Sequence, residues 1–174
     1  MVVPIILYGS PVLRKYSAEV TEEDDIQKYA DDLFSTIRKA EGIGLAAPQI
    51  NLLKRVFVID TTPLEDDELT TEKFTGIFIN PEIIYKNSKS IIYREGCLSI
   101  PGIFEEVYRP GKIAVRYQDL QLKFHEEVFE GINARIFQHE YDHLEGILFI
   151  DKINILRKKI LSGKLNRIKK SSKA

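Results

Sequence analysis

Residues 139–143, with the sequence HEYDH, combine side chains that can bind a metal ion and activate water. His139 and His143 are four residues apart, so on a helix both imidazoles project from one face and can bind one ion. Glu140 follows the first histidine, where a carboxylate can reach water at the metal without being a ligand. The chain has only three histidines, and two of them lie in this motif. The pattern predicts a metal-dependent hydrolase more strongly than two ordinary helix histidines.

Two histidines leave such a metal site one protein ligand short. Some metalloproteases take their third ligand from a later histidine, but the corresponding position in this chain is Phe149. Others use a downstream glutamate, but no glutamate follows Glu145 in this chain. His125 lies in a strand-like pattern of alternating charged residues and is expected to be exposed. Cys97 remains, because a thiolate binds transition metals well. By itself, however, a lone cysteine is more often a small core residue.

The residues around Cys97 favour a functional role over simple packing. The cysteine lies in residues 95–102, with the sequence EGCLSIPG. Gly96 has no side chain and lets another chain approach the backbone closely. Pro101 followed by Gly102 predicts a turn. This segment is therefore expected to present Cys97 beside a space that a ligand can enter.

A third segment, residues 42–49, reads GIGLAAPQ and ends in an amide donor, although its two glycines could simply terminate a helix. Together the three segments resemble the peptide deformylase family. That family shows GxGxAAxQ, EGCxS and QHExxHLxG in this order, and all three are present here as GIGLAAPQ, EGCLSIPG and QHEYDHLEG. Residues 8–14, YGSPVLR, also resemble the opening of the family, so that the resemblance extends from about residue 5 to 150.

The resemblance implies one divalent metal bound by Cys97, His139 and His143, with water in the fourth position. Glu140 would act as general base and then as general acid. The implied reaction removes the N-formyl group from the N-terminal formylmethionine of nascent polypeptides and releases formate. One cysteine and two histidines would suggest zinc by default. The resemblance instead implies Fe²⁺ in the cell, with Zn²⁺, Ni²⁺ or Co²⁺ able to substitute.

The resemblance also assigns groups that would contact the substrate. The side-chain amide of Gln49 and the backbone N–H of Leu98 would donate hydrogen bonds to the oxyanion. Gly44 would offer its backbone to the peptide substrate. An apolar pocket near Ile43 and the helix at 131–139 would suit the methionine side chain.

A supporting ion pair and one departure complete the comparison with the family pattern. Glu95 and Arg109 match a pair that would brace the loop carrying Cys97, since groups behind metal ligands orient them. Where some members carry an arginine near the substrate backbone, this chain has Phe104. Contacts beyond the methionine are therefore not transferred from the family.

The hydrophobic patterns predict an α+β fold. Mostly antiparallel strands would pack around a central HExxH helix, with a further helix near each end of the chain. The first helix follows a capping box formed by Thr21 and Asp24. Strands are predicted at 55–60, 76–85, 89–94, 111–118 and 122–129, and helices at about 131–145 and 152–162. The polar stretch 61–75, with its acidic run Glu65 to Glu68, is expected to be a surface excursion and is given no role.

Length and composition indicate a single catalytic domain in a cytoplasmic protein. The chain has 174 residues, enough for one domain with a substantial core. Its single cysteine excludes an intrachain disulfide and favours a reducing, cytosolic setting. No apolar run approaches the roughly 18 residues of a membrane span. We expect neither a membrane nor DNA as a partner.

The net charge of −1 conceals a basic end of the chain. Residues 152–174 contain nine lysines and arginines and no acidic residue. We divide the chain into a catalytic domain at 1–151 and a basic C-terminal helix and tail at 152–174. Such a tail is typical of proteins with a polyanionic partner, and for a deformylase that partner would be the ribosome. A solvated terminus with no partner is the alternative.

Two other functions use the same motifs. A zinc peptidase could employ the HExxH helix, but both usual third ligands are missing. An inactive relative could bind peptide ends or ribosomes without chemistry, but every catalytic position of the family pattern is retained. Formate release from formylmethionyl peptides, set against cleavage of unblocked peptides, distinguishes the three.

Overall fold

The computed structural model describes residues 1–64 and 73–172, and the expected excursion at 61–75, with its acidic run, lies largely outside them. The described residues form an α+β fold, as predicted. The helices are α1 (Ile26–Lys39), α2 (Gly131–Leu144) and α3 (Ile155–Ser171). The strands are β1 (Gly44–Ala46), β2 (Val56–Asp60), β3 (Thr75–Lys86), β4 (Ser90–Cys97), β5 (Ile100–Pro110), β6 (Lys112–Gln118) and β7 (Phe124–Glu130).

One antiparallel sheet and one hairpin surround the central helix α2. The sheet has the strand order β1-β2-β3-β6-β7, whereas β4 pairs with β5 as a separate two-stranded ribbon. The ring of Phe137 on α2 lies 5.0 Å from that of Phe57 and 5.1 Å from that of Phe78, between centroids. Edge-on aromatic contacts of this kind add to the burial of apolar area. Because most residues of α2 are buried, the HExxH segment is held from several sides.

Helix α1 starts slightly later than the sequence suggested. Thr21 and Asp24 do pair, through a hydrogen bond of 2.8 Å from the Thr21 backbone N–H to the Asp24 carboxylate. The N-cap, however, is Asp25, whose carboxylate accepts a hydrogen bond of 3.1 Å from the backbone N–H of Lys28. The predicted capping box therefore closes the turn before the helix. Capping by aspartate satisfies a backbone donor that the first turn of a helix leaves free.

Strand β5 was missed in the sequence, and the predicted turn at Pro101 and Gly102 is wrong. The chain reverses three residues earlier, at Leu98 and Ser99, where Cys97 of β4 pairs with Ile100 of β5. Gly102 lies within the strand at φ +73°, a backbone conformation that glycine adopts without strain. The tight reversal next to Cys97 is what places the sulfur at the end of the ribbon.

Helix α3 is longer than predicted. We expected a helix at about 152–162, and the observed helix begins after Asn154, whose side chain accepts a hydrogen bond of 2.8 Å from the Leu156 backbone N–H. Leu161 and Leu165 are its buried residues and join a core cluster with β5. The basic residues beyond position 162 lowered its apparent amphipathicity, but two buried leucines one turn apart suffice to dock it.

Ion pairs also attach α3 to the rest of the chain. Arg157 donates to Glu105 of β5 at 3.0 and 2.6 Å. Asp151 accepts from Lys158 at 2.8 Å and is also paired with Arg14. The division of the chain at residue 151 stays a prediction, but removal of α3 would break the ion pairs made by Arg157 and Lys158. None of the helices in the described residues has both the length and the apolar character to cross a membrane.

Candidate metal centre and cleft

Three side chains that can ligate a metal converge where α2 meets the end of β4. The donor atoms of Cys97, His139 and His143 all lie within 4.8 Å of one another. The Cys97 sulfur is 3.4 Å from Nε2 of His143. The histidines share one face of α2 because they are four residues apart, and the turn after β4 brings the cysteine to them. His125, which was predicted to be exposed and not to be a ligand, lies elsewhere, on β7, where it is half-buried and hydrogen-bonded to Asp119 at 2.6 Å.

This donor set fits a divalent transition metal. A thiolate and two imidazoles supply three protein ligands and leave a fourth position for reaction. Nδ1 of His139 is hydrogen-bonded to Glu95 at 2.9 Å, so Nε2 is the nitrogen free to ligate. Burial, together with the nearby charges of His139 and Arg109, holds the pKa of His143 well below its usual range. A neutral imidazole is the form that binds metal.

A buried network of charges lies behind the ligands. Arg109 donates to both oxygens of Glu95, at 2.6 and 2.9 Å, and to Asp142 at 2.6 Å. Arg135 donates to Glu95 as well, at 2.7 Å. Burial raises the pKa of the Glu95 carboxyl, but hydrogen bonds from His139 and Arg109 outweigh it and hold that pKa well below its usual range. Glu95 is therefore ionised and can fix the ring of His139.

Arg135 and Asp142 were not among the predicted site residues. Both lie on the motif helix, Arg135 four residues before His139 and Asp142 three residues after it. Those spacings put all three side chains on one face of α2. Their positions on the same helix face as His139 were the sequence signal that could have identified Arg135 and Asp142 as site residues.

Glu140 lies beside the three candidate ligands in an enclosed position. Its residue is 4% exposed, and its Oε2 has no hydrogen-bond partner among the described residues. Burial raises the pKa of Glu140 to about 7. A carboxyl with that property can both accept and donate a proton near neutral pH. An unpartnered oxygen in a polar cleft also indicates a place where water or substrate is bound.

Gly44 of β1 gives Glu140 its space. A Cβ at this position would lie 2.8 Å from the Glu140 Cδ and still closer to its Oε1. Real Cβ atoms do not tolerate such contacts, so a side chain here must displace the carboxylate. The glycine is therefore required by Glu140 as well as by any substrate that lies along β1.

We expect Gly44→Ala to lower kcat by about 100-fold, because a catalytic group displaced by about 1 Å loses that much. The measurement is kcat with metal content and thermal unfolding in parallel. Gly163→Ala on α3 is the matched control, because beyond its own helix backbone and chain neighbours no atom of the described residues lies within 4 Å of the added Cβ. Full activity in the Gly44 variant would show that Glu140 need not keep its observed position.

Gln49 is held with its amide facing the cysteine. It lies in a short 3-10 helix, Ala47–Ile50, and its Oε1 accepts a hydrogen bond of 2.8 Å from the Ala46 backbone N–H. This bond leaves Nε2 as the donor, 3.1 Å from Ser99 Oγ and 3.5 Å from Cys97 Sγ. A buried amide fixed through its oxygen is prepared to donate to a substrate atom near the sulfur.

A cleft of about 510 Å³ opens in front of these groups. Its apolar wall includes Ile43, Ile132 and Ile136, with Tyr93 nearby and Phe104 at the rim. The volume and lining suit one unbranched apolar side chain with a few polar contacts. Eight of the ten predicted site residues line it: Ile43, Gly44, Gln49, Glu95, Cys97, Leu98, His139 and Glu140. His143 and Arg109 lie behind that lining and are buried.

The model of the polypeptide deformylase family matches residues 2–159. A peptide deformylase of Cytophaga hutchinsonii is 46% identical over 171 residues, which cover 98% of this chain and 92% of the relative. One from Flavobacterium johnsoniae is 42% identical, with 97% of this chain and 90% of the relative covered.

Solved structures show the same likeness. A peptide deformylase from Plasmodium falciparum superimposes with a TM-score of 0.87 at 39% identity, covering 97% of this chain and 96% of that one. A class I type b peptide deformylase from Acinetobacter baumannii gives a TM-score of 0.81 at 34% identity, covering 88% of this chain and 99% of the other. The similarity thus extends over the helices, the sheet and the ribbon that form the cleft.

Proposed function

Since the chain belongs to the polypeptide deformylase family and is an enzyme that removes the formyl group from N-terminal formylmethionine, we propose that the cleft described above is where it does so. The observation that most supports this proposal is the convergence of Cys97, His139 and His143 beside the enclosed carboxylate of Glu140. The reaction is hydrolysis of a formamide, which yields formate and a free α-amine. It needs an activated water, stabilisation of the oxyanion and protonation of the leaving amine.

Cys97, His139 and His143 would hold one divalent metal, and we propose Fe²⁺ in the cell, with Zn²⁺, Ni²⁺ or Co²⁺ able to substitute. Bound there, the metal supplies Lewis-acid chemistry and makes water reactive near neutral pH. The test is anaerobic loading of metal-free protein with each ion, followed by measurement of metal content and formate release. Activity confined to zinc would argue against iron as the cellular metal.

Glu140 moves the proton in this proposal. Its buried Oε2 would accept the proton of the attacking water and then deliver it to the departing amine. The pKa of about 7 suits both steps, because one group must take and release the proton within a single turnover. The apolar wall at Ile132 and Ile136 would keep bulk water from competing for it.

Gln49 and Leu98 would stabilise the oxyanion. The Gln49 Nε2 is already directed at the cysteine sulfur, and the backbone of Leu98 follows that cysteine in the turn. Negative charge on the formyl oxygen would lie between the two donors. Ile43 and the backbone of Gly44 also line the cleft, and they would contact the methionine side chain and the peptide backbone.

We expect Gln49→Leu to lower kcat by about 10²–10³-fold, as the loss of one oxyanion donor does in other acyl transfers. KM should change much less, because the donor contributes mainly in the transition state. Steady-state kinetics on formyl-Met-Ala, with unfolding monitored to confirm the fold, provides the measurement. A variant that raises KM at constant kcat would place Gln49 in ground-state binding instead.

We further propose a cytoplasmic location, which the single cysteine favours, and contact of the basic end of the chain with ribosomal RNA. We propose that Lys158, Lys159, Arg167, Lys169 and Lys170 favour the contact with ribosomal RNA. Lys158 is engaged with Asp151, and the Lys169 stem packs against Gly9. The exposed cations on α3 therefore include Lys159, Arg167 and Lys170. They lie within the proposed binding segment, residues 152–174.

Truncation at residue 151 would remove α3 packing as well as charge, so substitution is the sharper test. We expect the triple glutamine variant of Lys159, Arg167 and Lys170 to bind ribosomes more weakly and with a smaller salt dependence, while remaining folded. Co-sedimentation at several salt concentrations measures both quantities. Glutamine at Lys86 and Lys89 is the control, and ribosome binding that resists the triple substitution would reject the proposal.

A further inference from the structure

The outward face of the β4–β5 ribbon carries exposed apolar side chains in a row. Ile92 is 47% exposed, Phe104 55% and Tyr108 65%. Residues alternate between the faces of a strand, and the intervening residues Val107 and Arg109 are buried on the inward face. The inward face thus packs on the core, whereas the outward face leaves apolar groups largely exposed to solvent.

One end of this row lies at the cleft. The Phe104 ring covers Gly96 so closely that a Cβ there would lie 2.6 Å from its Cδ1. The guanidinium of Arg94 stands 5.5 Å from the centre of the same ring. Arg94, Gly96 and Phe104 all line the cleft. The ribbon face is therefore continuous with the site where the formylmethionine would bind.

The other end lies farther along the ribbon. Ile92 and Tyr108 are directly opposite each other, and Arg94 and Glu106 form the pair between them and the cleft. Ile92 precedes Gly96 by four residues, about 13 Å along an extended strand. The charges of the middle pair balance, so the face presents aromatic and aliphatic surface with no net charge.

We propose that this ribbon face, comprising Ile92, Arg94, Phe104, Glu106 and Tyr108, is a docking track for the third to sixth residues of the polypeptide substrate. The proposal rests on the proposed function of the cleft. A cleft of about 510 Å³ has room for the formylmethionine and about one or two residues after it, so a longer chain must leave across the edge of the cleft. An extended chain advances about 3.3 Å per residue and would cover the row with about four residues. Its alternate side chains would face the ribbon.

If the track binds substrate, the enzyme should be selective for the side chains of the third to sixth residues. A dipeptide substrate lacks these residues and cannot reveal this selectivity. Apolar residues at alternate positions should bind better than serine, since they would cover Phe104, Ile92 and Tyr108. The substrates are formyl-Met-Ala, formyl-Met-Ala-Ser-Ser-Ser-Ser, formyl-Met-Ala-Leu-Ser-Leu-Ser and formyl-Met-Ala-Ser-Leu-Ser-Leu. We expect one of the two leucine registers to exceed the serine peptide about fivefold in kcat/KM, mainly through KM.

Tyr108→Ser in the metal-loaded protein should remove most of this advantage and leave formyl-Met-Ala turnover unchanged. Phe124→Ser is the matched control, because Phe124 is also 65% exposed but lies at the start of β7. Ile92→Ser should act like the tyrosine variant. The ratio of leucine to serine peptide within one variant is independent of its folded fraction.

Equal kcat/KM for all three hexapeptides in the wild type, or a leucine advantage that survives Tyr108→Ser, would overturn the track. If the wild type is a dimer on gel filtration and Tyr108→Ser is a monomer with unchanged peptide ratios, the face belongs to a second copy of the chain and the track is overturned too. Normal turnover of formyl-Met-Ala in these cases leaves the deformylase function intact. Absence of formate from every peptide would contradict that function itself.

Discussion

Glu140→Gln is expected to lower kcat for formate release by about 10³-fold, within the range that a general acid–base group contributes. The amide keeps the size of the carboxylate and fits the space that Gly44 leaves, so the fold should persist. It cannot accept a proton at Oε2, and the leaving amine would then depart without protonation. Binding of the formylmethionine should change little, because the substitution removes a proton carrier and no apolar contact.

Metal content must be measured on the same sample. Cys97, His139 and His143 are untouched, so the variant should bind the same equivalent of metal as the wild type. Glu22→Gln, in an exposed turn before α1, is a control for the loss of one carboxylate. An active Glu140→Gln enzyme would remove Glu140 from the mechanism, whereas a metal-free one would show that it serves the ligands instead.

Glu95→Gln should have the largest effect on stability. The carboxylate is buried and receives hydrogen bonds from Arg109, Arg135 and His139. Neutralising it leaves two buried guanidinium groups near each other without their shared anion. Breaking a buried ion pair in this way costs about 3–5 kcal/mol. Since Glu95 also orients His139, metal affinity should fall by about 10–100-fold.

Denaturant unfolding and metal titration against a competing chelator measure these two effects. Glu105→Gln is the matched control, because Glu105 lies opposite Glu95 in the ribbon and pairs with Arg157 at the surface of α3. We expect that control to lose about 1 kcal/mol or less, as for partly exposed pairs, and to keep its metal affinity. Similar losses in both variants would mean that Glu95 acts only in folding.

Much of the site could be predicted because its chemistry is local in the sequence. The spacing of His139 and His143 determines their common helix face. The motif EGCLS, through its resemblance to the family pattern, pointed to Cys97 as the third candidate ligand. What the sequence could not show is which side chains meet across elements. Arg135 reaches Glu95 from a different element, and Phe104 covers Gly96 across the ribbon.

The fold was predicted in outline, and two of the errors have a specific physical origin. Proline and glycine at 101–102 suggested a turn, but glycine at positive φ can also lie within a strand, and the chain had already reversed at Leu98. The end of α3 was placed too early because lysines outnumber apolar residues after position 162. Tertiary contacts of Leu165 and its neighbours decide that length, and composition alone does not reveal them.

The most direct test measures formate and free α-amine together, using anaerobically iron-loaded protein, formyl-Met-Ala-Ser and the unblocked peptide Met-Ala-Ser. The account predicts equimolar formate and amine from the formylated peptide, no cleavage of the unblocked one, and loss of both products in Glu140→Gln. Cleavage of internal amide bonds without formate, or fully metal-loaded protein that releases no formate, would contradict it.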